Sequence, residues 1–467
     1  MASVFLADLD ADVIGLGADC TNPQFVKPPA KKKTTSNRKG RVELSMEEDV
    51  VVGVGVMRSV GGRAAVSVSD CLACSGCVTS AETVLLSRDS TGEFNAMRAS
   101  GERVEVSVSQ ASLASIAAQV GASTGATFGA LRRLLAPATV AHVASALDLA
   151  LLELADEFLG RVRVGTRDAP VPEPTRGVSS ERILRRDVEE RVGPARRRED
   201  GPLPLVVAEC PGVVCFVEKT AAHALPYLAS TKSAMATFGA LKSDTRHVSV
   251  VPCADKKLEA ARKDLSRDGT PDVDLALTTK EAVDAVGGVD TIRAALRGEE
   301  EGEPWVVSPA SAGSGGYLEF VYRAAAKAFG ATVPDRLDYV RVRNDDFHEV
   351  DLALPDGLTL KFARAYGFRN VQRVASALKR GSSPYHFVEL MACPSGCLNG
   401  GGQLFSDDET SRDQARRRIA LVDAAFHAGD KTRDPRAGPL AGRRHALADV
   451  LHTRYHNIPP LETNPKW

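Results

Sequence analysis

From Val104 the chain reads VEVSV, with apolar and polar residues in alternation, which predicts a strand. An Ala/Leu/Val-rich stretch runs from there to about Arg161, and its later part, ALDLALLELADEFL, carries its leucines at helical spacing, so a long helix is expected. From Leu203 short β-rich runs alternate with helical ones. LPLVVAE, HVSVV, DVDLAL, DYVRVRN, TLKFARAY and YHFVELM are the expected strands, and KKLEAARKDL and GYLEFVYRAAAKAF the expected helices. Such alternation predicts an α/β fold. Two stretches lack any periodic apolar face: residues 27–42, built on KPPAKKKTTSNRKGR, read as a basic linker, and residues 162–202 read as a mobile insertion. The expected organisation is a small cysteine-bearing N-terminal domain over 1–100, α/β lobes over 101–406, and a helical C-terminal segment with a tail over 407–467.

Charge narrows the classes of function. With 59 Lys+Arg against 60 Asp+Glu among 467 residues, the chain lacks the basic excess of a non-specific nucleic-acid binder, so no direct nucleic-acid contact is expected. No stretch approaches the ~20 apolar residues of a membrane span, so no membrane partner is expected. The N-terminal MASVFLADLDADVIGLG carries acids where a secretory or mitochondrial signal carries bases. A cytoplasmic location, with access to the nucleus, is the expectation.

The nine cysteines change the picture most: Cys20, Cys71, Cys74, Cys77, Cys210, Cys215, Cys253, Cys393 and Cys397. An odd number over a long chain without an export signal is not a disulfide framework. CLACSGC holds Cys71, Cys74 and Cys77 as C-x-x-C-x-x-C, and three thiolates in one short loop suit three corners of an iron–sulfur cube better than the paired knuckles of structural zinc. Cys20 is the unassigned cysteine nearest to them in sequence and would supply the fourth corner. Further on, Cys210, Cys253 and Cys393 each follow directly on an expected strand, and ligands in open α/β sheets gather outside the carboxyl ends of strands. Cys397, four residues after Cys393 in MACPSGCLNGGGQ, completes a second set of four, with Gly396 and glycines 400–402 expected to let the backbone approach a cofactor.

The segments ECPG, PCADKKLE and ELMACPSGCLNGGGQ resemble the three signature segments of iron-only hydrogenases. Together with CLACSGCVTSAETVLL, CPGVVCFVEKT, GSGGYLEFVYRAAAKAFG and the ending LHTRYHN…W, the chain resembles more closely the hydrogenase-related cytosolic iron–sulfur assembly factors, the nuclear prelamin A recognition factor-like family, from about Asp8 to Trp467. The resemblance implies a small N-terminal 4Fe-4S domain followed by two α/β lobes like the hydrogenase catalytic domain. It implies two 4Fe-4S clusters, one on Cys20, Cys71, Cys74 and Cys77 and one on Cys210, Cys253, Cys393 and Cys397, and a role in delivering clusters to cytosolic and nuclear apoproteins without catalysis. It further implies docking through Trp467 to a propeller-containing (WD40) adaptor complex that targets clients, and contact with the assembly scaffold. The alternative is a hydrogenase or another iron–sulfur reductase. Against it, Glu209 stands where hydrogenases carry a proton-relaying cysteine, Val213 replaces a Trp and Val251 a Met.

Other residues carry two readings each. Lys256 and Glu259 fall where hydrogenases keep a Lys that helps hold the di-iron unit and a Glu; here a Lys that tempers cluster charge is favoured. Cys215 resembles a cysteine of the assembly factors and reads as a transient ligand or a small buried residue. His452 and His456, four apart, are expected in the core or at a cap rather than on a metal, and GSGGY at 313–317 is expected to be a turn or packing site, since it lacks the full phosphate-loop pattern. No Ser/His/Asp or paired-carboxylate arrangement marks a hydrolase.

Overall fold

The computed structural model describes residues 88–167, 197–296, 313–405 and 412–458, apart from 243, 268, 429, 430 and 433, with short pieces at 58–60, 63–65, 85–86 and 306–307. The chain divides into two compact units, 1–83 and 84–467. In the first, Arg58–Val60 and Arg63–Ala65 pair antiparallel. Cys20, Cys71, Cys74, Cys77 and Trp467, with the readings attached to them, lie outside the described residues.

The second unit is built on two sheets. In the first, strands β1 (Val104–Val108), β2 (Thr139–His142), β4 (Arg246–Val251) and β5 (Leu275–Thr278) run parallel in the order β2-β1-β4-β5. β1 is the predicted VEVSV strand. It is covered on both faces, with Val106, Ser107 and Val108 all fully buried, and the hydroxyl of Ser107 finds the ring of buried His247 at 2.8 Å. The second sheet has five strands: β3 (Leu205–Val207), β6 (Val340–Arg341), β7 (Phe347–Ala353), β8 (Thr359–Tyr366) and β9 (Phe387–Met391), in the order β6-β7-β8-β9-β3. β7 and β8 pair antiparallel, while β8–β9 and β9–β3 are parallel.

The stretch expected to lead into one long helix is broken twice. Helix α2 (Gln110–Val120) starts where Ser109 Oγ accepts the Ser112 amide and stops at Gly121, whose φ of 73° ends it in the left-handed conformation. Ser123 then caps α3 (Thr124–Leu134), and β2 intervenes before α4 (Ala144–Arg167). The first core gathers α2, α3 and the first sheet around Ile116, Phe128 and Val250, sealed by Val422 and Phe426 from helix α12 (Arg412–His427). The second packs α4 and α10 (Tyr317–Ala328) on the second sheet, where Phe158, Phe362 and Phe387 meet at ring-centroid distances of 5.4–6.0 Å.

One face of α4 carries Glu153, Glu157 and Arg161 into a buried polar network. Arg161 Nη2 donates to Glu157 Oε1 at 2.5 Å, and its guanidinium also reaches the carbonyls of Arg198, Pro202, Pro226, Tyr227 and Leu228 at 3.0–3.4 Å. Glu157 Oε2 accepts from the amide and hydroxyl of Ser230. The ring of His452 joins Ser230 Oγ (3.0 Å) to Glu153 Oε2 (3.1 Å), while the amide of His456 donates to Glu218. His452 is thus the core residue expected of it. α4 continues to Arg167, past the expected start of the insertion, and the chain is described again from Arg197, which pairs with Glu153 at 2.6 Å.

Candidate metal centre

Three strand ends place the second cysteine set. β3 leads through Ala208 and Glu209 to Cys210, which caps helix α5 (Pro211–Lys219), with Pro211 supplying the fixed φ that suits a first helical position. β4 leads through Pro252 to Cys253, just ahead of helix α7 (Asp255–Ala260). β9 leads through Ala392 to Cys393, and a 3-10 turn over Gly396–Asn399 carries Cys397. β3 and β9 are adjacent parallel strands, so Cys210 and Cys393 leave the second sheet at the same end, while the loop after Cys397 packs against Pro252 and Cys253 at the end of β4 in the first sheet.

The turn holding Cys397 depends on glycine. Gly396 has φ of 70°, and a Cβ there would lie 2.2 Å from Ser314 Oγ, the atom that accepts the Cys397 amide at 3.1 Å. Gly313 and Ser314 therefore form a packing turn ahead of α10, as expected of GSGGY; a Cβ on Gly313 would strike Leu398. Gln403 Nε2 donates to the Cys397 carbonyl at 3.1 Å and to that of Ala111 at 3.0 Å. The glycines of LNGGGQ are occupied differently from the reading of the sequence. A Cβ on Gly400 would sit 2.3 Å from the Pro252 carbonyl, and one on Gly402 3.1 Å from Cys253 Cα, so the close approach made is to the neighbouring strand end. The effect is to clamp the Cys397 loop against Cys253.

All four cysteines are free thiols, Cys210 buried and the others partly so. Burial, and then nearby negative charge, pushes every thiol up: Cys253 and Cys393 well above the usual range and Cys397 to about 12. Cys210, Cys393 and Cys397 are near enough to Cys253 to act on it electrostatically. Yet among the described residues no three of His, Cys, Asp and Glu lie close enough to share a single metal ion. Thiols that converge without closing on one point suit a group that takes ligands at its corners, and all-thiolate ligation is the chemistry of iron–sulfur clusters.

Around them stands a set of acids and phenols, of which motif reading had singled out Glu209 and Glu259 but not Glu389 or the roles of Tyr317 and Tyr366. Lys256 Nζ is 2.8 Å from Glu259 Oε2 and 3.7 Å from Glu209 Oε1; against the pull of burial, those two carboxylates hold it above the ordinary lysine range. Tyr317 donates to Glu209 at 2.5 Å, Tyr366 to Glu389 at 2.7 Å, and the Leu318 amide to the other oxygen of Glu389. Burial pushes both carboxyls up. Glu389 belongs to the strand run YHFVELM, and an acid in the middle of a buried strand was its one visible signal. Cys215 lies on α5, partly exposed.

The comparisons with known proteins agree with this geometry. Residues 179–401 match the family model described as iron only hydrogenase large subunit, C-terminal domain. The FeFe-hydrogenase HydA1 of Chlamydomonas reinhardtii superposes with a TM-score of 0.61 at 22% identity, covering 79% of this chain and 99% of that one, which shows the fold. The Arabidopsis thaliana protein NAR1 is 35% identical over 84% of this chain and 86% of its own. The Rattus norvegicus cytosolic iron-sulfur assembly component 3 is 36% identical, over 99% of both chains. A Xenopus tropicalis protein named cytosolic Fe-S cluster assembly factor narfl is 33% identical, again over 99% of each. Similarity of that order over the whole length shows that the chain belongs to the family of cytosolic iron–sulfur assembly components.

Proposed function

We propose that the chain is a carrier or adaptor of cytosolic iron–sulfur protein assembly that binds two 4Fe-4S clusters and passes clusters to apoproteins, with no hydrogen chemistry of its own. The observation that carries this reading is the meeting of Cys210, Cys253, Cys393 and Cys397 at the ends of β3, β4 and β9, and it gains support from relatives named as assembly components. Cys20, Cys71, Cys74 and Cys77 are the proposed ligands of the first cluster and these four of the second.

A 4Fe-4S cluster, when bound, supplies iron and sulfide that an acceptor's cysteines can take over. The chain's own residues prepare for it. The four thiols, held neutral by burial, release their protons on binding, so loading is favoured as pH rises. Lys256 sets a fixed cation beside Cys397 and offsets part of the thiolate charge. Ser314 and Gln403 hold the Cys397 backbone in place. Trp467 is the proposed anchor for the client-targeting adaptor, since a large aromatic side chain can fill an apolar pocket as interface hot spots do.

Anaerobic reconstitution followed by iron and sulfide analysis tests the reading: about eight of each per chain are expected, falling to about four in Cys393→Ala. Zinc without sulfide would sink it. Carbonyl and cyanide bands in the infrared spectrum of the purified chain would instead mark a di-iron hydrogenase.

A further inference from the structure

Of the acids at the candidate centre, Glu209, Glu259 and Glu389 each have a hydrogen-bond or ion-pair partner. The carboxyl of Asp255 has no such partner among the described residues. Leaving a partly buried carboxylate unpaired is costly, and its position in the first turn of the six-residue α7 compensates little. Its surroundings are thiols. Its charge raises Cys210, Cys253 and Cys393, and in the first two it ranks next after burial. The geometry is sharpest at Gly212, where a Cβ would lie 2.8 Å from Asp255 Oδ2 and 3.7 Å from Cys210 Sγ. The missing side chain at Gly212 is thus what lets the Asp255 carboxylate pack against the turn that carries Cys210.

We propose that Asp255 is a fifth protein donor of this centre, an oxygen ligand that takes the iron corner given up by Cys210. The proposal rests on the reading of the centre as a cluster site. The step is an exchange of ligands: the bond from iron to the Cys210 thiolate breaks, a bond from iron to an Asp255 oxygen forms, and the freed thiolate takes a proton from water. No electron moves. A carboxylate is a harder and weaker partner for cluster iron than a thiolate, so a corner held by Asp255 is the one an acceptor's cysteine displaces first. The exchange gives the buried second centre a route to release that does not require all four thiolates to let go together.

The test uses the full-length chain carrying Cys71→Ala, Cys74→Ala and Cys77→Ala, so that the second centre alone is read after anaerobic reconstitution. This parent is expected to hold about four irons with matching sulfide. Adding Cys210→Ala should leave about four irons with a changed electron paramagnetic resonance signal on reduction, as oxygen replaces sulfur at one corner. Adding both Cys210→Ala and Asp255→Asn should abolish binding, and Cys210→Ala with Gly212→Ala should do the same by displacing the carboxylate while keeping Asp255. Asp255→Asn alone should keep its irons and surrender them to a chelator about tenfold more slowly, equivalent to roughly 1.4 kcal/mol of barrier. If Cys210→Ala holds no more iron with Asp255 than without it, or if Asp255→Asn lowers thermal stability with no change in iron or its release, Asp255 is a structural residue and the proposal is wrong. A parent that binds no cluster at all overturns the underlying reading along with it.

Discussion

Replacing Arg161 by Met should be among the most damaging single changes outside the cysteine centre. The side chain is fully buried and its guanidinium serves Glu157 and five backbone carbonyls, those of Arg198, Pro202, Pro226, Tyr227 and Leu228. Met fills much of the same volume, so packing loss is small and the cost is electrostatic. Glu157 keeps the Ser230 amide and hydroxyl but loses its cation, and breaking a buried pair by removing one partner costs about 3–5 kcal/mol. Carbonyls left without a donor add to this, at ~1 kcal/mol or more for each that water does not reach. The expected total is about 5 kcal/mol. Removing the anion as well, in Arg161→Met/Glu157→Gln, should recover about 2 kcal/mol, because no uncompensated charge then stays buried. Urea unfolding of the apo chain, followed by far-ultraviolet circular dichroism, measures both. A single variant within about 1 kcal/mol of wild type, or a double variant whose loss equals the sum of the two singles, would refute the claim that this network is a charge-paired unit.

Three further outcomes are expected. Burial holds the His247 ring down at about 4, outweighing its hydrogen bond to the Asp272 carbonyl, so the unfolded chain takes up a proton below its ordinary value near 6.5 while the folded chain does not. Its contribution is complete above pH ~6.5 and is lost as pH falls toward ~4, by up to about 3 kcal/mol; His247→Gln should flatten the urea midpoint over that window, and an unchanged slope would count against the assignment. Gly396→Ala forces a Cβ onto Ser314 Oγ in a left-handed backbone and should cost about 2 kcal/mol or more while lowering iron retention, read by thermal melting and iron analysis; a variant that melts and loads as wild type would show that the Cys397 turn does not need glycine. Removal of Trp467 alone should weaken adaptor binding, measured by calorimetry, by about 2 kcal/mol without changing the melting temperature; equal binding, or lost stability, would sink the docking reading.

The placement of Cys210, Cys253 and Cys393 just after strands was legible because each stood at the end of a recognisable apolar run. β7 was not legible. Its residues FHEVDLA alternate poorly, with His348 and Glu349 adjacent and partly exposed, because an antiparallel strand near the sheet edge needs only one covered face. The breaks that divide residues 110–143 turn on single serines and one glycine inside an alanine-rich background, signals weaker than the composition around them. Tyr317, Tyr366, Ser314 and Asp255 escaped for another reason. Each acquires its role from a partner supplied by a different element, and local pattern carries no trace of such pairings.

The clamp of the Cys397 loop against Pro252 and Cys253 sets an order on biosynthesis. The thiols of the centre are spread from residue 210 to residue 397, and the loop that locks them is closed by the Gly402 amide donating to the Pro252 carbonyl. A nascent chain that has cleared the ribosome only as far as β8 exposes Cys210 and Cys253 without the other two, and the first sheet still lacks the residues of α12 that seal its core. On the proposed reading the ligand set is complete only once Cys397 and the loop behind it have been made, so loading follows synthesis of the whole centre, and ending the chain before Cys397 removes at least one of its four thiols.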